Sequence, residues 1–206
     1  MASFRIAVFA SGSGSNFQAI VDAVQAGKLD VEVGLLVCDR PNAKVVERAS
    51  AAGVDTFAFR PKDYASKAEY ETEIVRRLQE RGIELIVLAG YMRIISDTLL
   101  VPYAGRIVNI HPSLLPSFPG LDAIGQALAH RVQVTGVTVH YVDGGMDTGP
   151  IIAQRAVEVE EDDTSDSLGA KIHPVEHELY PAVIRLIRDG SVRLSEDGLR
   201  VVRGRS

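Results

Sequence analysis

The sequence predicts an α/β protein: a mostly parallel, twisted sheet flanked by helices, with an antiparallel strand pair in the C-terminal half. Three observations carry this. Through the first 110 residues, short apolar runs alternate with segments whose apolar residues recur at helical spacing, as in parallel βαβ units. Two long β-branched runs, Val132 to Val142 and Pro150 to Val159, flank one Gly- and Asp-rich turn, which reads as an antiparallel pair appended to the parallel sheet. Polar and glycine-rich segments directly follow the apolar runs, where open α/β sheets build their sites.

Each element has its own signal. Arg5 to Ala10 is a short apolar run, as for a buried strand. Phe17 to Ala26 is a helix through Phe17, Ile20, Val21 and Val24. Val31 to Val37 is a second strand, Asn42 to Ala51 a helix, and Thr56 to Ala58 a short third strand. Lys67 to Arg81 is a helix with Tyr70, Ile74 and Leu78 at spacing four. Ile83 to Leu88 is a strand, Ile94 to Val101 a short helix, and Arg106 to Ile110 a further strand. After the antiparallel pair, Thr164 is placed to cap a long final helix with Leu168, Ile172, Val175 and Leu179 on its apolar face. Pro174 and Pro181 are expected to kink or break it. A short polar tail from Ser191 carries Arg200, Arg203 and Arg205. No repeat, low-complexity segment or linker appears, so residues 1–206 read as a single domain.

Composition narrows the function class. Of 206 residues, 46% are hydrophobic and 24% charged, an ordinary globular balance with enough chain for one sizeable core. The net charge of -5 lends no support to a nucleic-acid binder. The single cysteine, Cys38, excludes an internal disulfide or a cysteine metal cluster and reads as a small core residue. No secretory signal and no bilayer-length apolar run are found, so a cytoplasmic protein with no membrane partner is expected.

Five constellations could carry chemistry. Asn109-Ile110-His111-Pro112 sets an amide and an imidazole two residues apart at a strand end; Asn can donate to an oxyanion and His can carry a proton, or the pair is a capped strand end with a packed His. Ser11-Gly12-Ser13-Gly14-Ser15-Asn16 joins the first strand to the first helix. It is neither a dinucleotide fingerprint, since Phe17 holds the third glycine's place, nor a P-loop; it suits a phosphomonoester, or is a flexible turn capped by Asn16. Asp143-Gly144-Gly145-Met146-Asp147-Thr148-Gly149-Pro150 reads as a hairpin loop, unless Asp147 meets His111, where a carboxylate would fix the ring. Gly90-Tyr91-Met92-Arg93-Ile94-Ile95 follows a strand, and Arg93 could hold a carboxylate or a planar heterocycle, or lie on the surface. His173-Pro174-Val175-Glu176-His177 matches an inverted zinc-peptidase pattern, but Pro174 interrupts it; Glu176 is read instead as a surface carboxylate able to bind a substrate amine.

With these motifs in this order, the chain resembles the phosphoribosylglycinamide formyltransferases of purine biosynthesis that use 10-formyltetrahydrofolate. The resemblance runs from about Ile6 to Arg188 and rests on Gly12 to Asn16, Leu88 to Arg93, Asn109 to Pro116 and Asp147 to Pro150. It implies a Rossmann-like formyltransferase fold, with a nucleotide-binding half at 1–110, a folate-binding and catalytic half at 111–190, and a tail at 191–206. It implies that Asn109, His111 and Asp147 are the catalytic trio. Gly14, Ser15 and Asn16 match the positions that hold the phosphate and ribose of glycinamide ribonucleotide, with His173, Pro174, Val175 and Glu176 also on that substrate and Glu176 toward its amine. Lys67, Met92, Arg93, Ile94, Ile95, Asn109 and the loop Asp143, Gly144, Gly145, Met146 and Asp147 match the folate side. Lys67 stands where the family often has Arg, and Asp122 and Gly125 where some members have His and Arg.

The resemblance further implies direct, metal-free transfer of a formyl group through a tetrahedral intermediate. 10-Formyltetrahydrofolate is then a cosubstrate, and the protein a monomer or homodimer. Asn109 and protonated His111 would stabilise the oxyanion, and Asp147 would raise the His111 pKa and relay the proton. Three rivals are weighed. Methionyl-tRNA formyltransferase carries an added C-terminal domain, which this acidic chain of 206 residues has no room for. Formyltetrahydrofolate hydrolase usually carries an added N-terminal regulatory domain. A binding module with idle residues is disfavoured by the complete trio.

Overall fold

A computed structural model describes residues 3–204; Met1, Ala2, Ser206 and the predicted tail residue Arg205 lie outside the described residues. The chain divides into two compact units, Met1–Val108 and Asn109–Ser206.

The first unit carries β1 (Arg5–Phe9), α1 (Ser15–Gln25), β2 (Glu32–Cys38), α2 (Lys44–Ala51), β3 (Thr56–Ala58), α3 (Lys67–Glu80), β4 (Leu85–Leu88) and α4 (Asp97–Leu100). Its strands lie in the order β3-β2-β1-β4, and each neighbouring pair is parallel. From Ile6 to Phe9, β1 is fully buried, as its uninterrupted apolar run requires of a strand covered on both faces. The order reverses about β1, so the carboxyl ends of β1 and β4 open side by side, the usual place for a ligand crevice. The Ser11 N–H donates to the Gly90 carbonyl there (3.1 Å). Ser66 caps α3 by accepting from the Glu69 N–H (3.1 Å), and Tyr70, Ile74 and Leu78 are buried as their spacing predicts. The helix expected over Ile94 to Val101 shrinks to α4, because residues 90–96 are held in a loop by hydrogen bonds described below.

The second unit carries β5 (Ile107–His111), in which the boundary falls, then α5 (Ala123–Ala129), β6 (Val134–Tyr141), β7 (Ile151–Glu158), α6 (Ser165–Arg188), β8 (Val192–Leu194) and β9 (Val201–Arg203). Its main strands are ordered β5-β6-β7, and β6 and β7 pair antiparallel, as expected. Their register shifts between Val139 and His140, an irregularity of the kind that re-aims a side chain.

Three sequence expectations need correction here. First, α6 runs unbroken through Pro174 and Pro181. Each proline costs about 3 kcal/mol in a helix interior, but Leu168 and Ile172 before Pro174, Leu179 and Tyr180 between the prolines and Val183 after Pro181 are buried, and that packing keeps the chain helical through both. The start is a reciprocal capping box between Thr164 and Ser167. Second, the polar tail folds back as the β8–β9 hairpin, turning at Gly198 with φ +71°. Third, α5 has no counterpart in the predicted elements; a glycine in its first turn, Gly125, is a poor helix former. Its N-cap explains that glycine: the Asp122 carboxylate accepts from the Gly125 N–H (3.2 Å), and a Cβ at 125 would lie 2.2 Å from Asp122 Oδ2. The two departures from the family pattern, Asp122 and Gly125, are therefore one feature.

Candidate active site

Asn109 and His111 sit two apart on β5, so their side chains share a face. The Asn109 carboxamide nitrogen lies 3.2 Å from His140 Nε2 and donates over 3.5 Å to Asp147 Oδ1. His140 Nδ1 meets the Tyr141 carbonyl at 2.7 Å. A carbonyl only accepts, so the proton sits on Nδ1, and in the neutral ring Nε2 accepts from Asn109. By the same reasoning His111 Nε2 donates to the Phe118 carbonyl (2.8 Å). Its Nδ1 faces Asp147 Oδ2 at 3.5 Å. The structure thus brings together the three residues proposed from sequence and adds a fourth, His140, whose Nε2 is 3.7 Å from Asp147 Oδ1.

Asp147 is held in a conformation few residues adopt, with φ +56°; Asp and Asn tolerate it best. Its Oδ2 accepts from the Gly120 N–H (2.8 Å). Burial pushes its carboxyl up, but the adjacent His140 ring, the Gly120 N–H and the positive charge available on His111 and His140 outweigh that and hold it below the usual carboxylate range. His111 and His140 are both buried, so the cluster is a half-buried carboxylate between two buried imidazoles. Such a group can hold and pass protons. Asp143 organises the loop leading to Asp147, accepting from the Gly145 N–H (3.0 Å) and the Thr148 hydroxyl (2.7 Å).

In the first unit, Gly14 is the N-cap of α1 with φ +72° and no side chain caps the helix, which leaves its N-terminal amides aimed at the loop. A Cβ on Gly14 would lie 2.5 Å from Val45 Cγ2, so only glycine fits. Asn16 lies inside α1 and is not its cap, a correction to one sequence reading. Arg48 donates to the Ser13 carbonyl (2.9 Å) and adds a positive charge to the loop, a residue that no motif singles out. The 90–96 loop is fastened along its length. The Met92 N–H donates to Ser11 Oγ (2.9 Å), Arg93 Nε pairs with Asp39 (2.8 Å), and the Ser96 N–H and hydroxyl both donate to Glu71. Ser11 Oγ in turn donates to Asp39 (2.5 Å). Met92 and Ile94 are exposed at 61% and 70% on this loop.

The profile of the formyl transferase family matches residues 4–184. The chain belongs to that family. This formyltransferase is similar to phosphoribosylglycinamide formyltransferase of Bacillus subtilis, with 57% identity over 88% of this chain and 93% of that one. Among solved structures, it resembles glycinamide ribonucleotide transformylase 1 from Geobacillus kaustophilus (62% identity, TM-score 0.88, covering 90% of this chain and 99% of that one). It also resembles glycinamide ribonucleotide transformylase 1 from Symbiobacterium toebii (45% identity, TM-score 0.94, covering 98% and 94%). The expected fold class, a Rossmann-like formyltransferase fold, is therefore the observed one.

The remaining sequence-predicted residues of this formyltransferase fall as follows. Glu176 is not a surface carboxylate: it is 5% exposed and lies 3.0 Å from His173 Nδ1. That hydrogen bond outweighs burial and raises the His173 pKa. Pro174 is exposed and Val175 half-buried on the same stretch of α6. Lys67 lies 3.8 Å from Glu71. Ile95 is half-buried, Gly144 and Gly145 are exposed, and Met146 is 56% exposed. Among the described residues no group of three or more His, Cys, Asp or Glu is arranged to hold a metal ion, and no helix is long and apolar enough to cross a membrane.

Proposed function

We propose that this formyltransferase moves the formyl group of 10-formyltetrahydrofolate onto the amine of glycinamide ribonucleotide, giving formylglycinamide ribonucleotide and tetrahydrofolate in de novo purine biosynthesis. The observation that carries the reading is the Asn109–His111–Asp147 cluster, half-buried at Asn109 and Asp147, with the buried His140 behind it. On this reading residues 1–206 are one formyltransferase domain. Gly14, Ser15 and Asn16, with His173, Pro174, Val175 and Glu176, serve the nucleotide. Lys67, Met92 to Ile95, Asn109 and Asp143 to Asp147 serve the folate.

The folate supplies the formyl carbon on N10, and the amine attacks it. Asn109 and His111 donate to the oxygen that becomes an oxyanion, and Asp147 balances the positive His111 ring. Two geometric details support this. The Asn109 contact to Asp147, at 3.5 Å, is at the limit of a hydrogen bond and is readily exchanged for a stronger acceptor. The Phe118 carbonyl oxygen already takes a hydrogen bond from His111, in the manner a substrate oxygen would. The proton leaving the amine passes through the His111–Asp147 pair to N10 of the departing tetrahydrofolate.

Tetrahydrofolate release is measured with and without glycinamide ribonucleotide. Release that depends on the nucleotide is expected. Release without it would make the chain a hydrolase, and no release in either case would leave a binding module.

A further inference from the structure

Within the first unit, α2 takes hold of the carbonyl groups of the loop that joins β1 to α1. The Val45 N–H donates to the Gly12 carbonyl (3.2 Å), and Arg48 Nε donates to the Ser13 carbonyl (2.9 Å). Both peptides are trans, and a trans peptide points its C=O and its N–H in opposite directions. With the Gly12 and Ser13 carbonyls turned to α2, the N–H groups of the same two peptides, those of Ser13 and Gly14, point away from it. Among the described residues neither amide donates to a protein acceptor, although Gly14 is buried.

Arg48 is itself held in place. Its Nη1 donates to Gln18 Oε1 on α1 (3.2 Å). Gln18 is kept the right way round for this because its Nε2 donates to Asp22 Oδ1 (2.8 Å). The guanidinium therefore ties α2 to the loop and to the first turns of α1. Arg5, Arg76, Arg77 and Arg93 of this unit each pair with a carboxylate. Arg48 instead spends its half-buried side chain on a carbonyl and a neutral amide. Without this anchor the peptide between Ser13 and Gly14 could turn its carbonyl oxygen outward, and that oxygen would repel an anion. Fixing the peptide beforehand removes the ordering cost from binding.

We propose that Arg48 is a positioning residue for the phosphate of the nucleotide substrate: it holds the Ser13 carbonyl toward α2, so that the Gly14 N–H faces the phosphate oxygens. Arg48 acts through this peptide and does not touch the phosphate. The hydrogen bond, more than the charge, carries the role. The proposal rests on the transformylase reading, in which Gly14, Ser15 and Asn16 serve the nucleotide.

The test uses side chains of matched length. Gln places its Nε2, and Met its Cε, where Arg48 has Nε. R48Q therefore keeps a donor at that point without the charge, and R48M keeps neither. Glycinamide ribonucleotide, and the same nucleoside without its phosphate, are titrated by calorimetry into the native full chain and both variants. R48M is expected to bind the ribonucleotide about tenfold more weakly, and R48Q to stay within about threefold of the native chain, as for loss and partial recovery of one charge-assisted hydrogen bond. Affinity for the phosphate-free nucleoside should be the same in all three, which a merely structural role would not allow. Gln18→Met, which releases only the second anchor of the guanidinium, serves the same comparison with a smaller loss if R48M does not fold. Native ribonucleotide affinity in R48M, an equal loss on the phosphate-free nucleoside, or R48Q as weak as R48M overturns the proposal. A native chain that binds the ribonucleotide no more tightly than the phosphate-free nucleoside overturns the phosphate-loop reading as well. A native preference for the phosphate that R48M leaves intact overturns the role of Arg48 alone.

Discussion

His140 Nε2 stands 3.2 Å from the Asn109 carboxamide nitrogen, and this contact decides which way the Asn109 amide faces. His140 Nδ1 is anchored on the Tyr141 carbonyl, so Nε2 is free to accept. Replacing His140 by Ala removes that acceptor and frees the amide to rotate. Turnover is expected to fall about 10- to 100-fold, as for a small misplacement of a reacting group, with substrate KM values little changed. His140→Gln, which restores an acceptor, should recover part of the loss. Steady-state kinetics on the three proteins checks this, and a KM effect alone would point to binding instead.

Asp147→Asn is expected to fold, because Asn also accepts the φ of +56° at this position. Both ligands should still bind, while turnover falls by roughly 10²–10⁴, the range for a positioned proton transfer. Near-normal turnover would sink the relay role. The stability effect has a definite sign. A carboxyl held below its ordinary range in the folded chain stabilises above the unfolded-state carboxylate range and loses that contribution as pH falls through the folded value. Denaturant midpoints of the native chain and Asp147→Asn should therefore converge toward acid.

Gly14→Ala forces a Cβ to within 2.5 Å of Val45 Cγ2 and 3.0 Å of its Cα at a φ of +72°. A stability loss of about 1–3 kcal/mol is expected, together with weaker nucleotide binding, read by urea unfolding and calorimetry. Asn16→Ala should weaken nucleotide binding with folate affinity intact. Unchanged affinity for glycinamide ribonucleotide would count against the phosphate-loop assignment.

Asp39→Asn keeps the side-chain shape but removes the charge that holds Arg93 and receives the Ser11 hydroxyl. The 90–96 loop loses its central fastening. The folate KM is expected to rise about tenfold, with a stability loss of about 1–3 kcal/mol for the weakened charged hydrogen bonds. A folate KM within error of the native value would show that Met92 and Ser96 alone hold the loop.

The His173 imidazole titrates above its ordinary value because Glu176 accepts from it. Since the folded value is raised, the stabilisation is full below the unfolded-state histidine pKa and is lost as pH rises through the folded value. NMR titration of the His173 ring should show its pKa drop in Glu176→Gln. No change would mean that the contact is not formed in solution.

The parallel units, the antiparallel pair and the capped final helix were legible because they depend on local periodicity and capping. Of the kink or break expected at Pro174 and Pro181, the break does not occur, because local rules omit the buried Leu168, Ile172, Leu179, Tyr180 and Val183 that keep α6 helical through both prolines. Helix α5 was missed because a glycine required by the Asp122 cap reads locally as a helix breaker. Asn109, His111 and Asp147 were readable from their motifs. His140 was not, since a single histidine in a β-branched strand looks like a packed core residue until its neighbours are known.

The fold class and the family are legible from the chain alone, because periodicity and motif spacing are local properties. Which groups meet depends on the folded arrangement. It placed Asp147 against His111 across thirty-odd residues of chain, put His140 behind Asn109, buried Glu176 and tied Asp39 to both Ser11 and Arg93. Hydrogen bonds and desolvation act over a few ångströms in space and take no account of separation along the chain.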